Sequence, residues 1–206
     1  MPLADLKSAH PWPATRPYLA FDPHGWCQPE HRQHVGPYLG PDTRVILELG
    51  SWLGQSTRLL LELAPAATVI AVDTWMGSTD MIGNADAAPR LASGRLFDQF
   101  LANQWDYRDR LVPIRETSLL GMAAAYNAGV VPDLIFFDTE HTTDHLLEEL
   151  RVASEFFPSA RLYGDDWGWP SVQTAVVLHA SQMRPPGRAC GRGNAWVILR
   201  DGEAPR

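Results

Sequence analysis

The chain has 206 residues, of which 45% are hydrophobic and 20% charged, as is typical of a globular protein with one sizeable core. The formal net charge of −7 and the lack of a basic run argue against a nucleic-acid partner. The sequence shows neither an apolar stretch long enough to span a membrane nor an apolar secretion signal, so we expect a cytoplasmic protein with no membrane partner. Cys27 and Cys190 are the only cysteines, and we expect two unpaired thiols.

Residues 1–40 are rich in proline, histidine and aromatic side chains, a composition that favours irregular structure with short helical turns. We interpret this stretch as an N-terminal extension that covers part of the core, either as a lid or as an interface of a homo-oligomer. Residues 41–206 are interpreted as a single α/β domain, because apolar runs and helical patterns alternate from residue 44 to the end.

Short, continuous apolar runs recur along this domain, as expected of strands that are buried on both faces of a parallel sheet. The predicted strands are 44–49, 68–73, 111–114, 133–138, 160–166 and 195–200. Helices are predicted between them, over 56–64, 97–108, 119–129, 144–157 and 170–183. The Gly-, Ala- and Ser-rich segment 76–96 is predicted to be a long functional or mobile loop, and the Gly- and Arg-rich residues before 195 a turn. The alternation predicts a sheet with helices on both faces.

The first predicted strand ends in the sequence ELGSWLGQS, a glycine-containing junction between a strand and a helix. It contains Glu48, Gly50, Ser51, Gly54 and Ser56. Glycines suit such a junction because the chain turns sharply there and a ligand can approach the backbone closely. The junction is therefore a candidate cofactor site, and a tight turn that binds no ligand is the alternative.

The kind of cofactor follows from three side chains around this turn. Asp73 ends the second predicted strand, 23 positions after Gly50, where a carboxylate can accept hydrogen bonds from ribose hydroxyls. Trp52 stands in place of the second glycine of a dinucleotide-binding turn, which argues against NAD or NADP. Glu48 favours a cationic ligand that carries an amino group, as S-adenosylmethionine does, through direct contact or through backbone and water.

Three more residues are assigned to the cofactor by their positions after strands. Thr74 and Trp75 follow Asp73 directly, and an aromatic ring there can stack on adenine or pack in the core. Ser118 follows the third predicted strand, where a polar side chain can reach the edge of the adenine.

Acidic side chains follow two later strands. Asp138 ends one strand, and Asp165 and Asp166 end the next one. Because ligands of parallel sheets bind beyond the carboxyl ends of strands that lie about 4.8 Å apart, these carboxylates converge if the two strands are neighbours. Three carboxylates so close repel each other, and a hard divalent cation such as Mg²⁺ would relieve the repulsion. Alternatively, Asp165 or Asp166 caps the helix that begins near Pro170.

His141 follows Asp138 by three residues and is the candidate general base. A neutral imidazole there can accept the proton of a substrate hydroxyl whose pKa the metal lowers. A solvated loop histidine is the alternative. Glu140 is interpreted as a neighbour of the site, and His145 as a residue of the helix surface.

Three tryptophans are candidate substrate residues. Trp167 and Trp169 follow the strand that ends in Asp166, and Trp26 lies in the N-terminal extension. Aromatic rings stack on the faces of sugars, so these side chains could line an open groove for an oligosaccharide. Core packing is the alternative for each.

Together, the segments VILELGSWLGQST, AVDTWMGS, DLIFFDTEH and YGDDWGWPSVQTAV resemble the class I S-adenosylmethionine-dependent methyltransferases. The resemblance covers roughly residues 40–200 and is strongest to the macrolide sugar O-methyltransferases, the cephalosporin-cluster hydroxylase-like proteins and the actinobacterial polysaccharide methyltransferases. It implies a Rossmann-like fold with a mostly parallel seven-stranded sheet in the order 3-2-1-4-5-7-6.

The resemblance also implies functional residues. Asp138, Asp165 and Asp166 match the ligands of Mg²⁺ or another divalent cation. His141 matches the general base, and Asp73 matches the ribose-binding residue. The macrolide sugar enzymes carry a Glu–Asp pair instead of two aspartates, and they have a large auxiliary region that this shorter chain lacks.

We therefore expect methyl transfer to a hydroxyl of a sugar or oligosaccharide, such as a mannose- or glucose-containing polysaccharide precursor. A catechol, a phenol or another small molecule is the alternative acceptor. A non-catalytic cofactor-binding protein is a further alternative, although a protein that has lost catalysis has no reason to keep the acidic residues and the histidine together.

Overall fold

The computed structural model describes residues 2–28, 30–78, 81 and 83–205. Its strands are β1 (Val45–Leu49), β2 (Thr68–Asp73), β3 (Leu111–Arg115), β4 (Leu134–Phe137), β5 (Arg161–Gly164), β6 (Arg188–Arg192) and β7 (Ala195–Leu199). Its α-helices are α1 (Pro2–Ala9), α2 (His31–Val35), α3 (Gln55–Leu63), α4 (Ala88–Ser93), α5 (Leu96–Gln104), α6 (Ser118–Asn127), α7 (Thr143–Phe156) and α8 (Pro170–Gln182). Two 3₁₀ helices cover Gly36–Tyr38 and Trp105–Arg110.

The strands form one seven-stranded sheet in the order β3-β2-β1-β4-β5-β7-β6. Strands β1 to β5 pair in parallel with one another, whereas β7 runs antiparallel to both β5 and β6. The predicted Rossmann-like fold, with a mostly parallel sheet in this order, is thereby confirmed.

Side chains alternate between the two faces of the sheet, so each strand contributes to two cores. Leu47 and Leu49 of β1 pack in the core beneath α6, α7 and α8, whereas Ile46 packs in the core beneath α3 and α5. Because both faces are covered, the parallel strands are apolar at almost every position, which is the pattern that made them predictable.

Two short elements lie where the sequence predicts irregular structure, because strand β6 lies in the predicted turn and helix α4 in the predicted loop. Helices α1 and α2 and the first 3₁₀ helix lie in the extension, where short helical turns are expected. β6 has the sequence RACGR and pairs only with β7, so as an edge strand it keeps polar, exposed side chains that hide the strand pattern.

The N-terminal segment packs on the sheet domain. Leu6 of α1 is buried in one core, and Trp12 Nε1 donates a 2.9 Å hydrogen bond to the carbonyl of Leu111. Asn103 of α5 exchanges two hydrogen bonds with the backbone of Asp22. The segment thus shares the core of the sheet domain, and the domain boundary after residue 40 stays a prediction.

The described residues contain no helix that is both long and apolar enough to cross a membrane. Cys27 and Cys190 are free, half-buried thiols, as predicted. Cys27 lines the cavity described next.

Candidate active site

A cavity of about 540 Å³ opens at the carboxyl ends of β1, β2, β4 and β5, a size typical of small-ligand pockets. The predicted site residues that line it are Gly50, Ser51, Ser56, Asp73, Thr74, Ser118, Asp138, His141, Asp165, Asp166, Trp26 and Trp169. They converge because parallel strands end at the same edge of a sheet. Four predicted site residues, all in the described part of the chain, do not line it, and these are Glu48, Gly54, Trp75 and Trp167.

The glycine turn brings the ends of β1 and β4 together. Gly50 has a φ of +85°, and a Cβ atom on it would overlap the carbonyl oxygen of Asp138. Only glycine fits such an approach in this backbone conformation. Trp52 has a φ of +46°, an unusual conformation for a bulky residue, and its ring lines the cavity.

Asp73 holds this turn in place. Its Oδ2 accepts hydrogen bonds from the backbone N–H groups of Ser51 (3.0 Å) and Trp52 (2.8 Å), and its Oδ1 accepts one from Trp75 (2.6 Å). Burial raises the pKa of Asp73, although these backbone hydrogen bonds oppose the shift. Asp73 lines the cavity as well, and its carboxylate keeps lone pairs for the predicted contact with a ribose.

Of the two ways in which Glu48 is predicted to act on the cofactor, directly or through backbone and water, the structure favours the second. Glu48 is fully buried beneath the turn, and its Oε2 accepts hydrogen bonds from the hydroxyl groups of Ser51 and Thr57. Burial raises its pKa to about 7, although the hydroxyl groups oppose that shift. Glu48 therefore supports the turn from below, which corresponds to the indirect alternative.

Gly54 and Trp75, which are also predicted to contact the cofactor, do not line the cavity. A Cβ atom on Gly54 would overlap the side chain of Gln104, so this glycine serves the packing of α5 rather than a ligand. The Trp75 ring is buried against Phe97 and Phe100, with ring centroids 4.6 and 4.8 Å away. Its side chain takes the core-packing alternative and does not stack in the cavity.

The predicted acidic site is built around a carboxylate–imidazole cluster. Asp138, His141 and Asp166 each offer a ligand atom, and these atoms all lie within 4.8 Å of one another. His141 Nε2 lies 2.6 Å from Asp166 Oδ2. Asp166 has a φ of +61°, which an aspartate tolerates better than most residues, and this turn directs it toward His141.

Asp165 lines the cavity but lies outside that cluster. Its Oδ2 lies 3.0 Å from Nε2 of His31, a buried residue of α2, and its Oδ1 accepts hydrogen bonds from Asn194 Nδ2 and the Asp166 backbone. Oδ1 is thus held by hydrogen bonds, whereas Oδ2 lies at ion-pair distance from His31, whose Nε2 forms no hydrogen bond with the residues that the structure describes. The structure groups Asp138, Asp166 and His141, and not the three aspartates that the sequence grouped.

The carboxylates of this cluster differ in pKa. Burial raises the pKa of Asp138 well above its ordinary value, and the charges of Asp165 and Asp166 raise it further. For Asp166, burial is outweighed by the hydrogen bond and charge of His141 and by the Asn194 amide, so its pKa is lowered. The protein thus stabilises the ionised form of Asp166 and destabilises the ionised form of Asp138.

His145, interpreted as a residue of the helix surface, is 33% exposed on α7 and also lines the cavity. Its Nε2 lies 3.0 Å from Oε1 of the fully buried Glu149, whose Oε2 accepts a 2.7 Å hydrogen bond from the Thr139 hydroxyl. The hydrogen bond to Glu149 raises the pKa of His145. The His–Glu spacing of four residues on one helix was the sequence signal for this pair.

The tryptophans divide between the cavity and the core. The Trp169 ring stacks on His141 with centroids 4.7 Å apart, and the Trp26 ring lies 5.5 Å from that of Trp52. Trp167 instead packs over Gly191 of β6, where a Cβ atom would overlap its indole. Trp26 and Trp169 therefore remain candidates for acceptor binding, and Trp167 does not.

Residues 47–160, more than half of the chain, match the profile of a methyltransferase domain family. This chain belongs to that methyltransferase family. The predicted enzyme class is thereby confirmed, and the membership supports S-adenosylmethionine as the methyl donor. A search of curated protein sequences finds no match.

Solved structures share the fold of this methyltransferase. An O-methyltransferase from Bacillus cereus in complex with SAH is 17% identical, with 97% of this chain and 89% of that one covered and a TM-score of 0.55. CalS11, a TDP-rhamnose 3′-O-methyltransferase of calicheamicin biosynthesis, is 18% identical, with 84% and 78% covered and a TM-score of 0.54. A precorrin 8w decarboxylase from Methanobacterium thermoautotrophicum is 16% identical, with 86% and 92% covered and a TM-score of 0.52. Identities this low establish the fold and not the reaction.

Proposed function

We propose that this methyltransferase transfers the methyl group of S-adenosylmethionine to a hydroxyl oxygen of a sugar or oligosaccharide, assisted by a divalent cation. The observation that carries the proposal is the carboxylate of Asp138. It lines the cavity beside Asp165 and Asp166, yet it accepts no hydrogen bond from any residue that the structure describes. A carboxylate with no hydrogen-bond donor, beside two other carboxylates and His141, suits a bound cation.

The donor set fits a divalent cation. Asp138 and Asp166 would supply the oxygen ligands that Mg²⁺ prefers, and Asp165 would join them only if it left His31. When bound, such a cation lowers the pKa of an acceptor hydroxyl and orients it.

His141 is the proposed proton acceptor. Its pairing with Asp166 and its stacking on Trp169 hold the imidazole in one orientation at the cavity wall. In the transfer, the bond between the sulfonium sulfur and the methyl carbon breaks, and its electron pair stays on sulfur. The acceptor oxygen forms the new bond to carbon, and its proton passes to His141, so that the products are the methyl ether and S-adenosylhomocysteine.

The acceptor is proposed from the aromatic wall of the cavity. Trp26 and Trp169 are 42% and 45% exposed, and rings with this exposure can stack on pyranose faces. The reaction named for CalS11, at a rhamnose hydroxyl, shows that a fold of this kind can accommodate a sugar. A catechol or another phenol would use the same donor groups and is the second acceptor class to test.

The proposal is tested first by thermal unfolding with S-adenosylhomocysteine, with and without Mg²⁺. A ligand that binds only the folded state raises the Tm, so we expect a rise with the nucleoside and a further rise with Mg²⁺. Asp138→Asn is the matched control, and it should keep the first rise and lose the second. Radiolabelled methyl transfer to a panel of sugars and phenols then identifies the acceptor. No rise with the nucleoside would overturn the proposed function, and a rise that Mg²⁺ never enlarges would overturn its metal.

A further inference from the structure

The charge of the cavity lining is one-sided. Among the described residues, six carboxylate side chains line the cavity, and they are Asp73, Glu116, Asp138, Glu140, Asp165 and Asp166. Within the described part of the chain, no lysine or arginine lines it, although the protein has 17 of these residues against 24 aspartates and glutamates. The cavity is therefore much more acidic than the composition of the protein.

Two arginines of segments next to the cavity, Arg90 and Arg115, are engaged by other groups. Arg90 forms a bidentate ion pair with Asp22, with nitrogen–oxygen distances of 2.8 and 2.9 Å, so its charge is balanced there. Arg115 lies over the Phe97 ring, 5.5 Å from the centroid, and its Nε donates a long hydrogen bond to the carbonyl of Thr74 beside the glycine turn. Neither guanidinium lines the cavity.

The two histidines of the lining do not reverse its sign. His141 is paired with Asp166, and His145 is paired with Glu149, a buried carboxylate additional to those of the lining. If both imidazoles are protonated, these carboxylates balance them, and if they are neutral the surroundings are more negative still. The other charged groups that face His145 are Glu140 and Glu148, which are also acidic.

Cys27 lines the cavity, and the pKa of its thiol reflects the negative charge of the surroundings. Burial raises the pKa of Cys27 to about 12, and the charges of Asp138, Asp165 and Glu48 act in the same direction. The methyl donor has two cationic groups, a sulfonium and an ammonium, and only one carboxylate, so its net charge is positive. Acidic surroundings attract such a donor, and they attract a divalent cation as well. An acceptor that brings its own negative charge would meet electrostatic repulsion from this lining.

We infer that the acceptor is neutral or cationic at the end that enters the cavity. It would be a free or glycosidically linked sugar, or an uncharged phenol, and not a nucleotide-activated sugar, a sugar phosphate or a coenzyme A thioester. The inference rests on the proposed methyl transfer, and it separates this chain from CalS11, whose name specifies a nucleotide sugar.

The sign of the cavity charge can be measured without an acceptor. Trp26 and Trp169 line the cavity, so the quenching of their fluorescence by Cs⁺ and by I⁻ reports the local potential. The differences between the wild type and the variants Trp26→Phe and Trp169→Phe isolate these two rings among the eight tryptophans. Each Stern–Volmer quenching constant is normalised to that of N-acetyltryptophanamide with the same ion. We expect the normalised constant for Cs⁺ to exceed that for I⁻ by at least about threefold at low ionic strength.

A charge-neutralised variant is the matched comparison. Glu116→Gln with Glu140→Gln removes two carboxylates of the lining that are not in the proposed metal cluster or the proton-transfer pair, so the Cs⁺/I⁻ ratio should fall toward one. If I⁻ quenches the isolated fluorescence of Trp26 and Trp169 as efficiently as Cs⁺ does, the inference is overturned, whatever the acceptor.

Acceptor pairs that differ by one anionic group test the same inference in turnover. Catechol is compared with 3,4-dihydroxybenzoate, and methyl α-mannoside with its 6-phosphate. We expect the neutral member to have a kcat/KM at least about tenfold higher, and added salt to narrow the gap. Faster transfer to the anionic member would overturn the inference. Failure of every acceptor would count against the proposed function instead, because the quenching result stands independently.

Discussion

Two carboxylates on opposite sides of the cavity, Asp73 and Asp138, differ in how the protein binds them. On the glycine-turn side, Asp73 accepts three backbone hydrogen bonds and holds the turn together. On the acidic side, Asp138 accepts no hydrogen bond from the described residues and lies beside Asp165 and Asp166, which raise its pKa. The first carboxylate is therefore part of the fold, whereas the second is kept in an unfavourable setting, as expected of a group that serves a ligand.

The largest effect should come from His141 on the acidic side. His141→Ala removes the proposed proton acceptor, so kcat should fall by about 10²- to 10⁴-fold while the affinity for S-adenosylhomocysteine is unchanged. Steady-state kinetics and isothermal titration measure the two quantities. His34→Ala is the control, because this histidine does not line the cavity. Full activity in His141→Ala would remove the residue from the mechanism.

Asp138→Asn should separate activity from stability. Methyl transfer should fall by about 10²-fold or more, because a metal ligand is lost, whereas the protein should become more stable. The sign follows from the raised folded-state pKa, since the ionised carboxylate destabilises the fold at every pH above its unfolded-state pKa. Calorimetry without metal should therefore show a higher Tm than the wild type at pH 7 and equal values in strong acid. A lower Tm at pH 7 would show that Asp138 is a structural group.

The glycine turn can be broken at two positions with different neighbours. Gly50→Ala places a Cβ atom against the backbone carbonyl of Asp138 at a φ of +85°, so we expect a loss of roughly 3 kcal/mol or more in the free energy of unfolding. Gly54→Ala has a similar φ of +88°, but its Cβ atom meets the side chain of Gln104, which can shift where a backbone carbonyl cannot, so we expect a smaller loss of roughly 1–2 kcal/mol. Urea unfolding of the wild type and both variants measures these losses, and equal losses at both glycines would contradict the distinction.

The smallest effect concerns the pair of His145 and Glu149. The folded-state pKa of His145 is raised, so its stabilising contribution is complete below its unfolded-state pKa near 6.5 and is lost as the pH rises through the folded value. Because His145 is 33% exposed, solvent screens the pair, and we expect the Tm of His145→Gln to lie only about 1–2 °C below the wild type at pH 6. The difference should shrink at pH 9. If the difference in Tm did not change with pH, the effect of His145→Gln would come from packing and not from the ion pair.

Most of the site could be predicted from the sequence because its residues directly follow apolar strands. Asp73, Asp138 and Asp166 come after β2, β4 and β5, and the ends of parallel strands meet at one edge of the sheet. His31 and Asn194 could not be predicted in the same way. His31 comes from the N-terminal segment, and Asn194 from the hairpin of an edge strand whose polar residues show no strand pattern.

What the sequence determined by itself is the architecture and the composition of the site, because strand periodicity, the glycine turn and the acidic strand ends are local patterns. What only the tertiary structure decided is the partner of each carboxylate. Asp165 is turned toward His31, Glu48 lies under the turn and His145 faces the cavity, since these contacts join segments far apart in the chain or depend on which side of a helix the cavity lies. Hydrogen bonding and burial set the charge and the role of a carboxylate, and neither can be read from its position in the sequence.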